Sequence, residues 1–376
     1  MSSALRVHLV SSLSALQALE PEWRTLEAHA VIGEWFAGPD YVLPLLKTYF
    51  DSGRLAVYCV YDGDELIGVL PLVHQTAADV AGCRPTIGFP MHAHVRRIGL
   101  IASQRPMEVM MAIFREIQGA GHSCVALQQV ESSGEFDTLV RQAATAAGLR
   151  SFDVAQSSSA IATWSSGWED YLRTRDGKLL RNLRSRRRKL DEARFTVQVV
   201  RTPEAFADAW PTVLDVETRC WKHMQRSSMA NEAGTATFYE EVGQRLARSG
   251  SLRLYLLRQE GTAVAHAFGS VRNRAFSLLK NSYDEAFKSW SPGVSLVWQS
   301  MQDAAEEGCA IYDFLGDASD WKRDFCTAEP EYLTRRLFAP FALRCQLCRL
   351  REETLKPFAR RSGLKRLLQR AAAIRG

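Results

Sequence analysis

The feature that most constrains this chain is a segment that occurs twice. Residues 52–72, SGRLAVYCVYDGDELIGVLPL, align without a gap on residues 249–269, SGSLRLYLLRQEGTAVAHAFG. Each copy reads as a strand, a polar turn containing glycine, and a second strand. Each follows a helical stretch that stops at Ser-Gly, where glycine supplies the left-handed residue that ends a helix. Tyr58 matches Tyr255, Leu55 matches Leu252 and Ile67 matches Val264. The shared preceding helix and the spacing of about half the chain point to an internal duplication.

The surrounding periodicities agree with two related halves. Helical spacing of apolar residues predicts helices at 13–28, 40–50, 105–119 and 135–147, then at 178–193, 203–222, 234–248 and 291–308. Alternation predicts strands near 5–10, 54–61, 65–74, 95–101 and 122–130. The later set is 195–201, 252–258, 262–271, 274–282, 310–315 and 331–338. Residues 150–164 read as a bridge between the halves. The fold class is α/β (α+β), with each half a mixed, largely antiparallel sheet flanked by helices. The expected boundaries are 1–155, 156–340 and a basic helical tail, 341–376.

Charge is unevenly placed. Residues 172–190 carry nine Arg or Lys and one Asp, and residues 344–376 carry ten Arg or Lys and two Glu. Each segment is therefore +8, and with a chain total of +5 the remainder sums to −11. The positive potential is local, not a property of the whole surface. No apolar run approaches the roughly 20 residues of a membrane span. The N-terminus lacks the basic and long apolar regions of a signal peptide. The eight cysteines are scattered, and the one close pair, Cys345 and Cys348, has no second pair to complete a zinc site. No metal is expected, and a reducing cytoplasm is. The tail could place the chain at the periphery of the inner membrane, because a basic amphipathic helix suits an anionic surface.

Three stretches carry chemistry. In Lys288-Ser-Trp-Ser-Pro-Gly293-Val-Ser295, Ser291 is placed to cap a helix, Pro292 fits the first turn and Gly293 allows close backbone approach. A strand, a small-residue loop and a helix N-terminus together form an anion site, here spanning Ser291, Pro292, Gly293, Val294 and Ser295. The plainer alternative is an ordinary capped helix. The second stretch, Tyr312 to Phe325, turns at Gly316 and gathers Asp317, Trp321 and Lys322 after a strand end, where active-site loops commonly lie. The third, Tyr171 to Leu190, is a basic helix with a leucine stripe, on which Arg181 and Arg184 are free for phosphates or RNA or are a solvated face.

In this order, these stretches resemble the CelD/BcsL-type acetyltransferases of the GNAT (GCN5-related N-acetyltransferase) superfamily. The matching positions are Tyr171-Leu172, Arg181 to Leu190, Trp221, Val264-Ala265, Tyr283-Asp284, Ser291-Pro292-Gly293, Asp313 with Gly316-Asp317, and Trp321-Lys322. The resemblance is strongest over residues 165–338. It implies tandem GNAT-like domains, the first degenerate and the second active, with acetyl-CoA or another acyl-CoA as co-substrate and an amine acceptor. The acceptor would be a small molecule or a cell-envelope or polysaccharide precursor. Tyr171, Arg181, Arg184, Trp221, Tyr283 and Trp321 would contact substrate. The pantetheine arm would follow the strand ending near Phe268, with its pyrophosphate at Pro292 to Ser295. Trp321 stands where the family usually has Tyr, so the proton donor for the leaving thiolate is unassigned.

His266 is the residue that most marks the second copy as specialised. It occupies the place of Val69 in the first copy, and imidazole titrates near neutral pH. It is the candidate base, against a hydrogen-bonded core histidine. Asp284 and Asp317 are the rival carboxylates, and Lys322 completes the catalytic set. His92 and His94 of the first half could line a cleft. Fem-type transferases share tandem GNAT-like halves and take their acyl group from aminoacyl-tRNA, so the basic helix keeps nucleic acid open as a partner. A non-catalytic accessory protein of polysaccharide assembly is the third class.

Overall fold

The computed structural model describes residues 4–76, 86–92, 97–122, 124–164 and 166–339. His94, the Cys345 and Cys348 pair and the basic tail lie outside them. In chain order the strands are β1 (Arg6–Val10), β2 (Leu55–Asp62), β3 (Glu65–His74), β4 (Thr86–Gly88), β5 (Ile101–Ala102), β6 (Cys124–Glu131) and β7 (Arg150–Ser158). They continue with β8 (Ile161–Thr163), β9 (Phe195–Val200), β10 (Leu252–Gln259), β11 (Thr262–Arg272), β12 (Ala275–Tyr283), β13 (Ile311–Asp313) and β14 (Glu331–Phe338). The helices are α1 (Leu13–Ala28), α2 (Pro39–Tyr49), α3 (Pro106–Gly119), α4 (Glu135–Ala146), α5 (Trp168–Arg173) and α6 (Gly177–Glu192). Then come α7 (Pro203–Thr218), α8 (Trp221–Met224), α9 (Ala233–Arg248), α10 (Pro292–Glu306) and α11 (Asp320–Arg323).

Two compact units result. The first takes the chain up to Ala37, Asp51–Ala155 and the stretch from Leu333; the second takes Gly38–Phe50 and Gln156–Tyr332. The segment 150–164, read from sequence as a bridge, instead supplies two strands, β7 and β8. The first sheet has the order β1-β2-β3-β4-β6-β14-β7, with β5 also on β3. The second has the order β8-β13-β12-β11-β10-β9.

The repeat is visible in the register itself. Tyr58 pairs with Leu70 and Cys59 with Val69 in the first hairpin; Tyr255 pairs with Ala267 and Leu256 with His266 in the second. Both pairings break at the same place, between Val60 and Tyr61 and between Leu257 and Arg258. A one-residue slip would turn every side chain to the other face, so a matched bulge is strong evidence of common design. Helices α1 and α7, which follow the first strand of each copy, also match. Ser12 caps α1 by accepting from the Ala15 N–H, and Thr202 caps α7 by accepting from the Ala205 N–H. Each helix carries an internal proline, Pro21 and Pro211. Finally, α3 and α10 both begin with proline after a left-handed residue, Arg105 (φ 50°) and Ser291 (φ 52°). A non-glycine residue there is uncommon, and its occurrence before both helices extends the likeness beyond the hairpins.

One departure from regular pairing positions the site. β12 runs parallel to β13 only from Ala275 to Ser277, where Phe276 stacks on Tyr312 with centroids 4.6 Å apart. β12 then bulges against β11, so that Phe268 pairs with Lys280 and Gly269 with Leu278, and Leu279 is the extra residue. A bulge bends its strand and raises the local twist. Beyond Ser277, among the described residues, the outer edge of β12 pairs with no strand.

Candidate active site

The last turn of α7 sets a buried acid against the expected catalytic histidine. Glu217 lies on the buried face of this helix, in line with Trp210 and Val213. Its Oε1 is 2.9 Å from His266 Nε2, and the two side chains are 1% and 0% exposed. Oε2 accepts the Ser228 hydroxyl at 2.7 Å and the Met229 N–H at 3.0 Å. Burial pushes the Glu217 carboxyl up. The His266 hydrogen bond and charge, the Ser282 hydroxyl and the Lys222 ammonium outweigh it and hold the group well below the usual carboxylate range. An ionised carboxylate only accepts, so Nε2 carries the proton. Nδ1 is buried and, among the described residues, has no hydrogen-bond partner.

Two residues further on, Arg219 clamps Asp284. Its guanidinium pairs with Asp284 Oδ2, with Asp215 at 2.8 Å and with the Ala263 carbonyl at 3.0 Å. Asp284 Oδ1 accepts the Ala286 N–H at 2.9 Å, capping the 3-10 turn Glu285–Trp290, and its own N–H donates to Val264 at 2.8 Å. Both oxygens are spent on holding the turn that leads into α10. Asp284 is a fixed strut here, which removes the reason to read it as a base.

The start of α10 is where the sequence places an anion site, and one expectation there is corrected. Ser291 occupies the cap position, but its left-handed backbone turns the side chain away, and it accepts none of the first N–H groups. Ser295 Oγ donates to the Ser291 carbonyl at 3.0 Å. Pro292 and Gly293 are buried, Val294 and Ser295 half-buried, and no acidic residue lies in the first turn. A Cβ on Gly293 would stand 3.0 Å from Tyr283 Cδ1, so glycine lets the Tyr283 ring lie against the helix. Burial, with Glu285 beside it, pushes the Tyr283 hydroxyl up.

The expected path for pantetheine also moves. β11 is paired on both sides, by β10 and β12, and has no free edge for a ligand. Phe268 is fully buried, with Phe206 and Tyr239 at centroid distances of 6.0 and 6.1 Å. The open backbone is that of β12. There, Lys222 Nζ donates to the Asn281 carbonyl at 2.6 Å and to Ser282 Oγ at 3.3 Å.

The remaining candidates fall in different settings. Trp221, beside Lys222 on α8, is 40% exposed, and Met224 is 76% exposed. Arg181 and Arg184 are exposed on α6. This helix lies along α10, where the Arg187 guanidinium bonds Gln299. Tyr171 is buried. Its hydroxyl donates to the Phe325 carbonyl at 2.8 Å and its ring packs on Trp164 and Trp168, so it holds the core. Asp317 is exposed on the turn after β13. Lys322 Nζ donates to the Phe314 carbonyl across that turn at 3.3 Å, and Trp321 packs edge-on against Phe314. Asp317, Trp321 and Lys322 therefore share one loop, separate in sequence from the Glu217 cluster.

Sequence reasoning missed Glu217 and Lys222. Glu217 had a signal: a carboxylate on the stripe Trp210, Val213 and Cys220 must be paired or excluded from the core. Lys222 had none, because a lysine after an exposed tryptophan reads as surface.

Residues 177–323 match the family model described as an acetyltransferase (GNAT) domain. The chain thus carries a GNAT acetyltransferase domain, the domain of a transferase. No curated protein sequence matches it. Among solved structures it is similar to FemX, with 12% identity, TM-score 0.58, and 93% of this chain and 99% of that one covered. It is also similar to L-PGS from Bacillus licheniformis, with 14% identity, TM-score 0.54, and coverage of 88% and 97%. A third is the C-terminal domain assigned to a lysylphosphatidylglycerol synthetase of Agrobacterium fabrum, with 14% identity, TM-score 0.55, and coverage of 88% and 95%. At these identities the likeness is one of fold.

Proposed function

We propose that the second unit transfers an acyl group from acyl-CoA to an amine. The observation that supports this best is the continuity of the open β12 edge with the uncapped start of α10. The free N–H groups and positive dipole end of α10 suit a pyrophosphate. From there an extended pantetheine arm lies along β12 as an added strand, and backbone N–H groups near the Leu279 bulge face the thioester oxygen. His266, anchored through Nε2 to Glu217, works as the base at Nδ1 and takes the proton of the attacking amine, directly or through one water. Arg181 and Arg184 supply positive charge beside α10. The acceptor is the amine of a small molecule or of a cell-envelope or polysaccharide precursor, as the CelD/BcsL resemblance implies. Native mass spectrometry of the purified protein, followed by calorimetric titration with acetyl-CoA and longer acyl-CoA thioesters, tests this. Absence of affinity for every acyl-CoA would end it, and would suit an accessory role in polysaccharide assembly.

A second reading has its own support. FemX shares the fold, and the exposed arginines of α6 suit an RNA donor such as aminoacyl-tRNA. That donor predicts tRNA binding whose affinity falls steeply with salt. Acyl-CoA binding with a shallow salt response argues for the first reading.

A further inference from the structure

A thioester that loses its acyl group releases a thiolate, which needs a proton or a cation. The loop after β13 offers Trp321, which has no acidic hydrogen of use, and Lys322, whose ammonium is turned to the Phe314 carbonyl. The cation on the open edge of β12 is Lys222, with Nζ 2.6 Å from the Asn281 carbonyl. An extended pantetheine arm matches about four strand residues at roughly 3.3 Å each. Measured back from Tyr283, which touches the start of α10, that length ends near the Leu279 bulge. The sulfur then lies about two strand residues from Asn281, within the sweep of the Lys222 side chain.

Resting on the acyl-CoA reading above, we propose that the Lys222 ammonium is the cation that stabilises the leaving thiolate. The amine nitrogen forms its bond to the thioester carbon, the carbon–sulfur bond breaks, and its electron pair goes to sulfur. The Lys222 ammonium pairs with that sulfur and keeps its own proton, CoA leaves as the thiolate, and His266 Nδ1 takes the proton shed by the amine. The two ends are joined inside the protein. Lys222 Nζ donates to Ser282 Oγ at 3.3 Å, Ser282 and Lys222 both help hold the Glu217 carboxyl low, and Glu217 bonds His266 at 2.9 Å. The proton gained at His266 Nδ1 passes to water once the products leave, and Lys222 stays an ammonium throughout, so both groups end as they began.

Other charges around Lys222 are accounted for. Glu217 faces it from α7, Asp284 is neutralised by Arg219, and Lys280 on β12 lies over the Tyr239 ring at 5.1 Å. His266 on β11 faces Glu217, and Tyr283 faces Glu285.

The test needs only CoA and no acceptor. Free CoA is bound to the full chain, and its thiolate is followed by ultraviolet absorbance across a pH titration. A cation beside the sulfur lowers the thiol titration by about 1–3 pH units relative to CoA in solution. Lys222→Met should abolish that shift while CoA still binds, and Lys222→Arg should keep it. Binding with a thiol that titrates as in solution overturns this inference alone. So does a shift that survives in Lys222→Met. Failure of the wild-type protein to bind CoA overturns the acyl-CoA reading and this inference together.

Discussion

The N-terminal turns of α3 and α10 began as one design and have been finished differently. Both start with proline after a left-handed residue. At α3 that residue is Arg105, and its guanidinium is tied to Asp62 at 2.7 Å and to Glu108 in the first turn. A carboxylate already sits at the positive end of that helix, which satisfies the dipole from within. At α10 the residue is Ser291, the next two are Pro292 and Gly293, and no carboxylate follows. Both helix starts offer unpaired N–H groups; under the proposed reading the side chains close one to an anion and leave the other open. The hairpins differ in the same sense, since Val69 and His266 occupy equivalent registers and only the second meets a buried acid.

Gly293→Glu should break this contrast most completely. The variant adds bulk against Tyr283 and a negative charge where pyrophosphate would bind, and acyl-CoA affinity should fall below detection in calorimetry. The counterpart change in α3, Met107→Glu, should leave affinity as it was. If both variants bind equally well, the two helix N-termini do not differ in the way described.

Next in size is the effect of the proposed base. His266→Gln should lower turnover by about 100-fold with CoA binding retained. His266→Val, which restores the residue type of the first copy, should do the same. A core role predicts instead a stability loss of about 1–3 kcal/mol with turnover per folded molecule unchanged, read from unfolding midpoints on the same preparations.

Glu217 gives a pH test. Its carboxyl is held low in the folded state by His266 and its neighbours, against the opposing effect of burial. Its contribution to stability is therefore present above the ordinary carboxylate range and is lost as pH falls toward the depressed value. Over that acidic window the wild-type protein should lose stability more steeply than Glu217→Gln. Parallel acid-unfolding curves for the two proteins would show that the pairing does not favour the ionised acid.

The smallest effect concerns the paired tyrosines. Among the described residues the buried Tyr58 hydroxyl has no hydrogen-bond partner, and the Tyr255 hydroxyl has only Asp303 beside it. Tyr58→Phe and Tyr255→Phe should each change stability by less than about 1 kcal/mol, with a neutral or stabilising sign. A large loss in one alone would mean that the two hairpins have diverged at this position too.

Much of this was legible from local pattern. The hairpins and nearly every long helix follow from periodicity and caps, because those signals act over a few residues. β7 was hidden by its serines, which read as a linker, and β4 is only three residues long. The assignment of α2 to the second unit and of the chain after Leu333 to the first depends on contacts distant in sequence, which no local pattern records. Arg335 illustrates this. Buried at 2% exposure, it pairs with Asp137 and Asp153, nearly two hundred positions away. At the site, the turn proposed to bind an anion is marked by Ser-Pro-Gly, whereas Glu217 and Lys222 matter only because the fold sets them against β11 and β12.

The unpaired stretch of β12 has a further consequence, for behaviour in a crowded solution. A bare strand edge is a template for another chain, and proteins commonly guard such edges with a lysine. Lys222, lying on the Asn281 carbonyl, is placed to be that guard while no ligand is present. A molecule that lines the edge would take over the same duty, so the protein should resist heat-induced clumping better in its presence. Shelf life and cofactor supply would then be linked through six residues of backbone, Leu278 to Tyr283.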